Sequence, residues 1–500
     1  MQDIVQAAKG ARVPGASTQR RRNVPILTTL FRRGSRGPTV RAAVRVVSSV
    51  GAVAVTSAAL LASAGAASAS TRPVLWVATT GTATAADSNC ATARYSTVQS
   101  AVTAAESRES AHPLVVPAIK LCPGTYQEQV TITKSLTITH APRSGRVLIE
   151  LPATPASSTT NCQAKATSAQ VPQSVVEICA AAAGCANTNG VSVSISGVAV
   201  QGDWPADVCN DNLYGVLVEG GAALTLAKST VKDIGADPLT QAGGCQGGVG
   251  VEAGYSYTHQ VGHATLTKDI IKGYQKNGVV ADGSGSTGSV VDTTVTGAGA
   301  TPYIAQNGIQ ISTGATGVVF ESAVSGNNYT GKGEASSAGI LVYGGGASCS
   351  GGDPESGLVR RAGFIGNTLT NNDIGIALFN LNSKCDKSAP TPTRDLACDN
   401  TISNSHGYPN GVPSADANIS GLVTTSGYVG DQAGVSDTGN RDVICHNKIS
   451  GAGYAPMGKA RSLPNPPGPA WVRPVDVYSF AAAIHPQVSG NHYDGKSYNP

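Results

Sequence analysis

The chain has 500 residues, of which 60 are glycine and only 13% are charged, so it predicts many turns and few amphipathic helices. Its formal net charge of +4 arises at the N-terminus, because residues 1–69 hold ten Lys or Arg and one acid out of 35 and 31 in the chain. The rest carries 25 basic and 30 acidic side chains, a net charge of −5. Nothing in this balance suggests nucleic-acid binding, which needs a basic stripe.

Residues 1–69 have the pattern of an export signal. A basic region precedes an apolar run of small residues from Val46 to Ala64, and Ala67-Ser68-Ala69 then has the form that signal peptidase accepts. We expect cleavage near Ala69 and a secreted protein with no membrane span after processing. A retained membrane anchor is the alternative, although Ala, Ser and Gly in the run weaken membrane insertion.

All eleven cysteines follow this segment, which predicts disulfides in an exported chain. Their spacing favours three local pairs and a fourth within one cluster: Cys90–Cys122, Cys209–Cys245, Cys385–Cys398, and two among Cys162, Cys179 and Cys185. The odd number leaves one thiol unassigned.

The first predicted element is a helix in YSTVQSAVTAAES (residues 95–107). Ser96 and Gln99 fit a capping box, and Val98, Val102 and Ala105 form an apolar stripe. Such a helix would cover the open N-terminal end of a repeat structure, where unpaired strand edges invite aggregation.

A repeat of about 30 residues follows the helix. Six segments share a glycine that is followed by apolar residues at the first and third places after it. They are YGVLVE (214–219), GGVGVE (247–252), NGVVAD (277–282), NGIQIS (307–312), AGILVY (338–343) and IGIALF (374–379). A second short strand follows each of the first five, as in LTLAKSTV from Leu224. Strands this short bury too little to stand alone, so equivalent residues such as Val249, Val279 and Ile309 must stack.

The repeat predicts an all-β fold, a right-handed parallel β-helix in which glycine or asparagine occupies left-handed turn positions. A β-propeller is the competing repeat fold, but it needs four strands per blade and a period of about 40 residues. We expect the β-helix with its N-terminal cap to span residues 70–453. A proline-rich extension, residues 454–500, is expected to pack on it.

The capping segment YSTVQSAVTAA, followed by IKLCPGTYQEQVTITKSLTI, resembles the N-terminal cap and first coil of pectin lyase-like β-helix proteins, especially the pectinesterase and secreted actinobacterial branches. GNTLTNNDIGIALFN (366–380) is similar to the coil repeat of that family. The resemblance covers roughly residues 74–450 and implies a secreted protein that acts on or binds an extracellular polysaccharide. The catalytic motifs of pectinesterases, polygalacturonases, alginate epimerases and pectate lyases are absent from the sequence.

The fourth place after each glycine should face outward from the coil. Down this column run Glu219, Glu252, Asp282, Ser312, Tyr343 and Phe379. Adjacent strands are about 4.8 Å apart, so the first three predict a ladder of carboxylates. Such a ladder suits calcium, or the acid and nucleophile of a retaining glycosidase. The alternative is that these acids are solvated and aid solubility.

Tyr343 and Phe379 are candidate platforms for sugar rings, and the loop of Trp204 and Asp203 is a further candidate contact. Two functions stay open. One is a polysaccharide lyase or glycoside hydrolase that uses Glu219, Glu252 and Asp282. The other is a non-catalytic glycan-binding or structural cell-surface protein. In either case we expect a monomer that binds no nucleic acid.

Overall fold

The protein is described here by a computed structural model. It covers residues 74–111, 115–141, 145–160, 162, 171–180, 190–204, 212–331, 336–344, 357–381, 391–405, 432–454, 472–477 and 486–498. The predicted export signal, residues 1–69, lies outside this part of the chain. Within the described ranges, no helix is long and apolar enough to cross a membrane.

The fold is a right-handed parallel β-helix built from three long sheets, so the β-propeller alternative is wrong. Sheet 1 has twelve strands in the described residues: Val74–Val77, Ala118–Leu121, Leu136–His140, Ser192–Ser196, Ala222–Ala227, Gly262–Thr267, Thr287–Val291, Thr316–Phe320, Gly363–Ile365, Leu396–Cys398, Val443–Cys445 and Gln487–Ser489.

Sheet 2 has ten strands in the same part of the chain: Val130–Ile132, Gln173–Cys179, Leu213–Glu219, Val249–Ala253, Asn277–Asp282, Asn307–Ser312, Ala338–Gly344, Ile374–Asn380, Gln432–Asp437 and Val472–Val477. Sheet 3 has twelve: Gly124–Gln127, Val147–Glu150, Ala199–Asp203, Thr230–Gly235, Ile270–Tyr274, Thr294–Thr301, Ala323–Tyr329, Thr368–Thr370, Thr401–Ser403, Lys448–Ser450, His492–Tyr493 and Lys496–Ser497. Each coil passes from sheet 2 to sheet 1 to sheet 3 and returns to sheet 2.

The core is the interior of the coil, where apolar side chains stack from one coil to the next. Val251 pairs with Val279, and Val279 pairs with Ile309; all three lie in the buried core cluster. The stacking expected for Val279 and Ile309 is therefore confirmed. Val249 is not part of this column, because it pairs with Asn277.

A column of glycines on sheet 2 explains this difference. A Cβ atom on Gly250 would lie 2.4 Å from the carbonyl oxygen of Gly278, and one on Gly278 would lie 2.5 Å from that of Gly308. The same contact to the next coil recurs at Gly215, Gly339, Gly375 and Gly434. Gly250, not Gly248, is thus the repeat glycine of its coil, and the predicted register of that strand is wrong by two residues.

The turn from sheet 1 to sheet 3 carries an asparagine ladder. The Nδ2 of Asn367 donates to Oδ1 of Asn400 at 3.0 Å, and that of Asn400 donates to Asn447 at 2.9 Å. The left-handed position just before this ladder was expected to hold glycine or asparagine. It also accepts charged residues, such as Lys228 with φ 52° and Asp399 with φ 58°.

The predicted capping helix is confirmed as α1, Val98–Ala111. Val98, Val102 and Ala105 are buried against the first coils, as expected. The predicted capping box is wrong, because Gln99 bonds the backbone of Thr131 instead. The carboxylate of Glu128 caps the helix by accepting from the Val98 and Gln99 amides at 2.7 and 2.8 Å.

The C-terminal region was expected to leave the β-helix at residue 453, and that boundary is one coil too early. Val472–Val477 adds a parallel strand to sheet 2, and Gln487–Ser489 adds one to sheet 1. Sheet 3 then ends in an antiparallel pair formed by His492–Tyr493 and Lys496–Ser497.

Three disulfides join described cysteines. Cys90–Cys122 and Cys162–Cys179 agree with the prediction. Cys398 pairs with Cys445, its neighbour on the next coil of sheet 1, so its expected pairing with Cys385 is wrong. Cys245 is disulfide-bonded, and its predicted partner Cys209 lies outside the described residues.

Gly278→Ala should destabilise the protein by about 1–3 kcal/mol, because the new methyl group would meet a backbone carbonyl that cannot move aside. Thermal unfolding of the two proteins measures the difference. Gly363→Ala is the matched control, since its Cβ would make an ordinary contact, 3.7 Å from Val318 Cγ1. Equal midpoints for Gly278→Ala and wild type would contradict the role of the glycine column.

Candidate functional site

The outer face of sheet 2 carries five of the predicted site residues, but not in one column. Glu252 pairs with Leu217 on the preceding coil and with Val280 on the following coil. The predicted ladder of three carboxylates is therefore wrong. The prediction failed because it counted from Gly248 instead of Gly250, which moves Glu252 two places along its strand.

Glu219 and Asp282 do share a level, two coils apart. Gly254 occupies that level on the coil between them, because the residues just before the three positions are paired in register. Two strand spacings separate Glu219 from Asp282, about 9.6 Å. Glu252 lies diagonally from each, at a distance of about 7–8 Å between strand positions.

The three carboxylates are buried rather than solvated, so the solubility alternative is wrong for them. Glu219, Glu252 and Asp282 are 0, 6 and 9% exposed. Their surroundings include a second apolar cluster outside the coil interior, formed by Tyr214, Leu217, Val249, Tyr255 and Val280.

The environments of Glu252 and Asp282 differ. Burial raises the pKa of Glu252 well above its usual value, and the negative charges of Asp282 and then Glu219 raise it further. The Asp282 carboxylate instead accepts hydrogen bonds from the Ser256 amide and the Ser312 hydroxyl, both at 3.0 Å. Folding therefore favours the protonated form of Glu252.

Tyrosines lie beside the carboxylates. The rings of Tyr214 and Tyr255 pack edge to face with centroids 5.9 Å apart, and their hydroxyls are hydrogen-bonded. Tyr257 packs on Tyr255 at 5.4 Å and is 64% exposed. Tyr257 thus marks the place where this cluster meets solvent.

Glu177 is a buried acid of the same face that the sequence analysis missed. It pairs with Leu217 on the next coil, so only Leu217 separates it from Glu252. Hydroxyls of Ser158 and Thr160 donate to its Oε1 at 2.7 and 2.6 Å. Burial raises its pKa, and these two bonds oppose the rise. The sequence feature that could have identified Glu177 is the alternating pattern of QSVVEIC, one coil before the first aligned repeat.

Tyr343 and Phe379 are neighbours on adjacent coils, as expected. Asp282, Ser312, Tyr343 and Phe379 are paired in succession along sheet 2. The two aromatic side chains are half-buried, as are Gln310 and Leu341 on the column beside them. This end of the face is therefore accessible, whereas the acidic end is not.

Trp204 and Asp203 do not join this surface. Asp203 is exposed at the end of Ala199–Asp203 in sheet 3, and Trp204 follows it and packs on the interior core. The indole Nε1 is buried with no hydrogen-bond partner among the described residues. Trp204 is thus placed as a packing residue rather than as an open sugar platform.

A further acidic group lies inside the coil. Asp437 pairs with the core residue Leu378, and Asp395 and Asp442 take the level of Ala362, another core residue, on the next two coils. Burial is the main cause that raises the pKa of all three, to about 6 for Asp442. Being enclosed, these side chains contribute to folding and are not placed to meet a polymer.

No group of three or more His, Cys, Asp or Glu is arranged to hold a metal ion within the described ranges. The raised pKa of Glu252 opposes calcium binding, because calcium takes deprotonated carboxylate oxygens. The calcium site on Glu219, Glu252 and Asp282 stays a prediction.

No protein-family model and no curated protein sequence matches the chain. Solved structures of similar architecture include XylC with xylose, at 9% identity over 76% of this chain and 69% of that one, with a TM-score of 0.43. Others are a variant of DFA-IIIase from Arthrobacter chlorophenolicus A6 with DFA-III (13%, 80% and 90%, 0.37) and the pectin methylesterase from Aspergillus niger (13%, 82% and 91%, 0.32).

Three parallel sheets wound as one right-handed coil, with a helix over the first coil, are the architecture that the sequence predicts. The chain has a right-handed parallel β-helix fold. At identities of 9–13%, these solved structures do not indicate the reaction.

Glu252→Gln should remove a pH-dependent loss of stability from this β-helix. The pKa of Glu252 is raised by folding, so its contribution is complete below the unfolded value near 4.5 and declines as the pH rises toward the folded value. As the pH rises above about 4.5, the free energy of unfolding of wild type should fall relative to that of Glu252→Gln. Urea denaturation at each pH measures it.

The exposed Glu321 provides the control for this experiment. Glu321→Gln should give a stability profile parallel to that of wild type. A profile for Glu252→Gln that also runs parallel to wild type would show that folding does not favour the protonated form of Glu252.

Proposed function

We propose that this protein binds an extracellular polysaccharide along the outer face of sheet 2. The observation that carries the proposal is the accessible pair Tyr343 and Phe379, which lie on adjacent coils with Gln310 and Leu341 beside them. Aromatic faces offer the apolar platform on which sugar rings stack, and the amide of Gln310 can bond their hydroxyls.

Two further features support an extracellular polysaccharide. The described residues contain three disulfides, which persist in oxidising compartments. A β-helix also repeats its outer face at every coil, so a polymer with repeating units can meet equivalent positions along the axis. Pectin methylesterase, pectate lyase and rhamnogalacturonan lyase are among the solved structures of similar architecture.

Hydrolysis of the bound polymer is the second candidate function, and the raised pKa of Glu252 favours it. Glu252 has the raised pKa that a general acid needs. Asp282, which accepts hydrogen bonds from the Ser256 amide and the Ser312 hydroxyl, is the candidate base. The strand positions of Glu252 and Asp282 are diagonal and about 7–8 Å apart, a spacing closer to the carboxyl separation of inverting than of retaining glycosidases. Because both are less than a tenth exposed, the Tyr255–Tyr257 segment would have to move to admit a sugar.

Tyr343→Ala and Phe379→Ala should each weaken binding roughly fivefold, since each removes about 1 kcal/mol of ring stacking. Affinity electrophoresis against acidic and neutral polysaccharides, with and without calcium, measures the effect. Tyr303→Ala removes an exposed ring elsewhere and should leave binding unchanged. Equal losses in all three variants, or binding unaffected by Tyr343→Ala and Phe379→Ala together, would refute the proposed face.

Hydrolysis should appear as new reducing ends without unsaturated products, and NMR of the first product should show an inverted anomer. Glu252→Gln and Asp282→Asn should abolish this activity while leaving polysaccharide binding intact. Glu177→Gln, a matched change at a buried glutamate of the same face, should retain it. Unsaturated products would instead establish a lyase. Activity lost only on calcium removal would instead support a calcium site at the three carboxylates.

A further inference from the structure

A cavity of about 680 Å³ lies where sheet 1 turns into sheet 3, away from the face just described. It is lined by residues of four successive coils: His140, Gly145, Arg146, Val147, Gly197, Val198, Ala199, Lys228, Thr230, Lys232, Asp233 and Lys272. We name this cavity the basic cleft. Five of its side chains are basic and one is acidic.

The cleft exists because one coil contributes only small residues. Gly197, Val198 and Ala199 form its floor, between coils that carry long cationic side chains. A Cβ atom on Gly197 would lie 2.1 Å from Nδ1 of His140, and the φ of Gly197 is +70°. A larger residue at this position would therefore both strain the turn and displace His140 from the wall.

The cations come from fixed backbone positions. Lys232 and Lys272 are directly paired on adjacent strands of sheet 3, about 4.8 Å apart along the axis. Lys228 occupies the left-handed turn position before this sheet, with φ 52°. Arg146 lies on the other wall, just before Val147–Glu150. The positive charges are thus distributed along the axis rather than gathered at one point.

Most of this charge is not neutralised by the protein. Lys232 binds the only acid of the cleft, with its Nζ 2.5 Å from Oδ2 of Asp233. Among the described residues, Arg146, Lys228 and Lys272 have no acidic partner within 4.0 Å. The chain after residue 69 carries a net charge of −5, so this local excess of cations runs against the charge of the protein as a whole.

We propose that the basic cleft binds a segment of an anionic glycan through its carboxylate or sulfate groups. Four coils span about 14 Å along the axis, which suits a stretch of polymer lying across several cations. No Phe, Tyr or Trp lines the cleft, so it lacks the stacking platforms that single-stranded nucleic acids use. This second site does not depend on the binding proposed for sheet 2.

The double variant Arg146→Gln/Lys272→Gln tests the proposal by affinity titration at low salt. The probes are polygalacturonate, dextran sulfate, neutral dextran and a single-stranded oligonucleotide. We expect the affinity for at least one of the two anionic glycans to fall roughly tenfold or more, because two charge-assisted contacts are lost. The wild-type affinity should also fall steeply as salt is added.

Lys268→Gln/Lys448→Gln is the matched control, with the same change of charge at exposed lysines outside the cleft. It should bind the anionic glycans like wild type, and Arg146→Lys/Lys272→Arg should restore binding. Tyr343→Ala should leave this site intact, which separates it from the sheet 2 face. The proposal is overturned if both glutamine doubles weaken binding equally, if neither anionic glycan binds, or if the oligonucleotide binds more tightly than both.

Discussion

The close stacking of backbone on backbone in sheet 2 is the constraint on which the rest of this molecule depends. At each repeat glycine, the carbonyl of the next coil stands where a side chain would otherwise begin, as at Gly250 and Gly278. No other residue fits there, so these contacts fix the register of the seven strands of the sheet that carry a repeat glycine. The register in turn decides which side chains enter the core and which form the outer face.

The sequence was sufficient for the architecture but not for the site. A two-residue alternation, repeated about every 30 positions, leaves few folds, and the stacking of Val279 on Ile309 followed directly. GGVG offers three glycines to align, and only the carbonyl of the next coil distinguishes among them. The prediction of the helix cap was wrong for a similar reason, because the capping carboxylate, Glu128, lies 30 residues away in the sequence. Contacts between coils are invisible to a local pattern.

Buried acids lie both on the outer face of sheet 2 and inside the coil, and their protonation affects the electrostatic environment of the basic cleft. Glu252 is covered on the outer face, and Asp395 and Asp437 are enclosed in the interior, each with a pKa raised mainly by burial. Such groups hold protons at pH values where surface carboxylates have lost them. The raised pKa values therefore make the folded protein less negative than its count of acids implies wherever these groups keep their protons, and there the rest of the molecule opposes the basic cleft less.

The asparagine ladder has a consequence for how such a chain can change in length. The stretch from Asn367 to Asn400 begins and ends with an asparagine of the ladder. The next stretch, from Asn400 to Asn447, does so too. Duplicating or deleting one such coil would still bring the asparagines of the adjacent coils into hydrogen-bonding register. The repeat can therefore lengthen by whole coils, whereas partial insertions are accommodated in the connections before and after sheet 2, whose lengths vary from coil to coil.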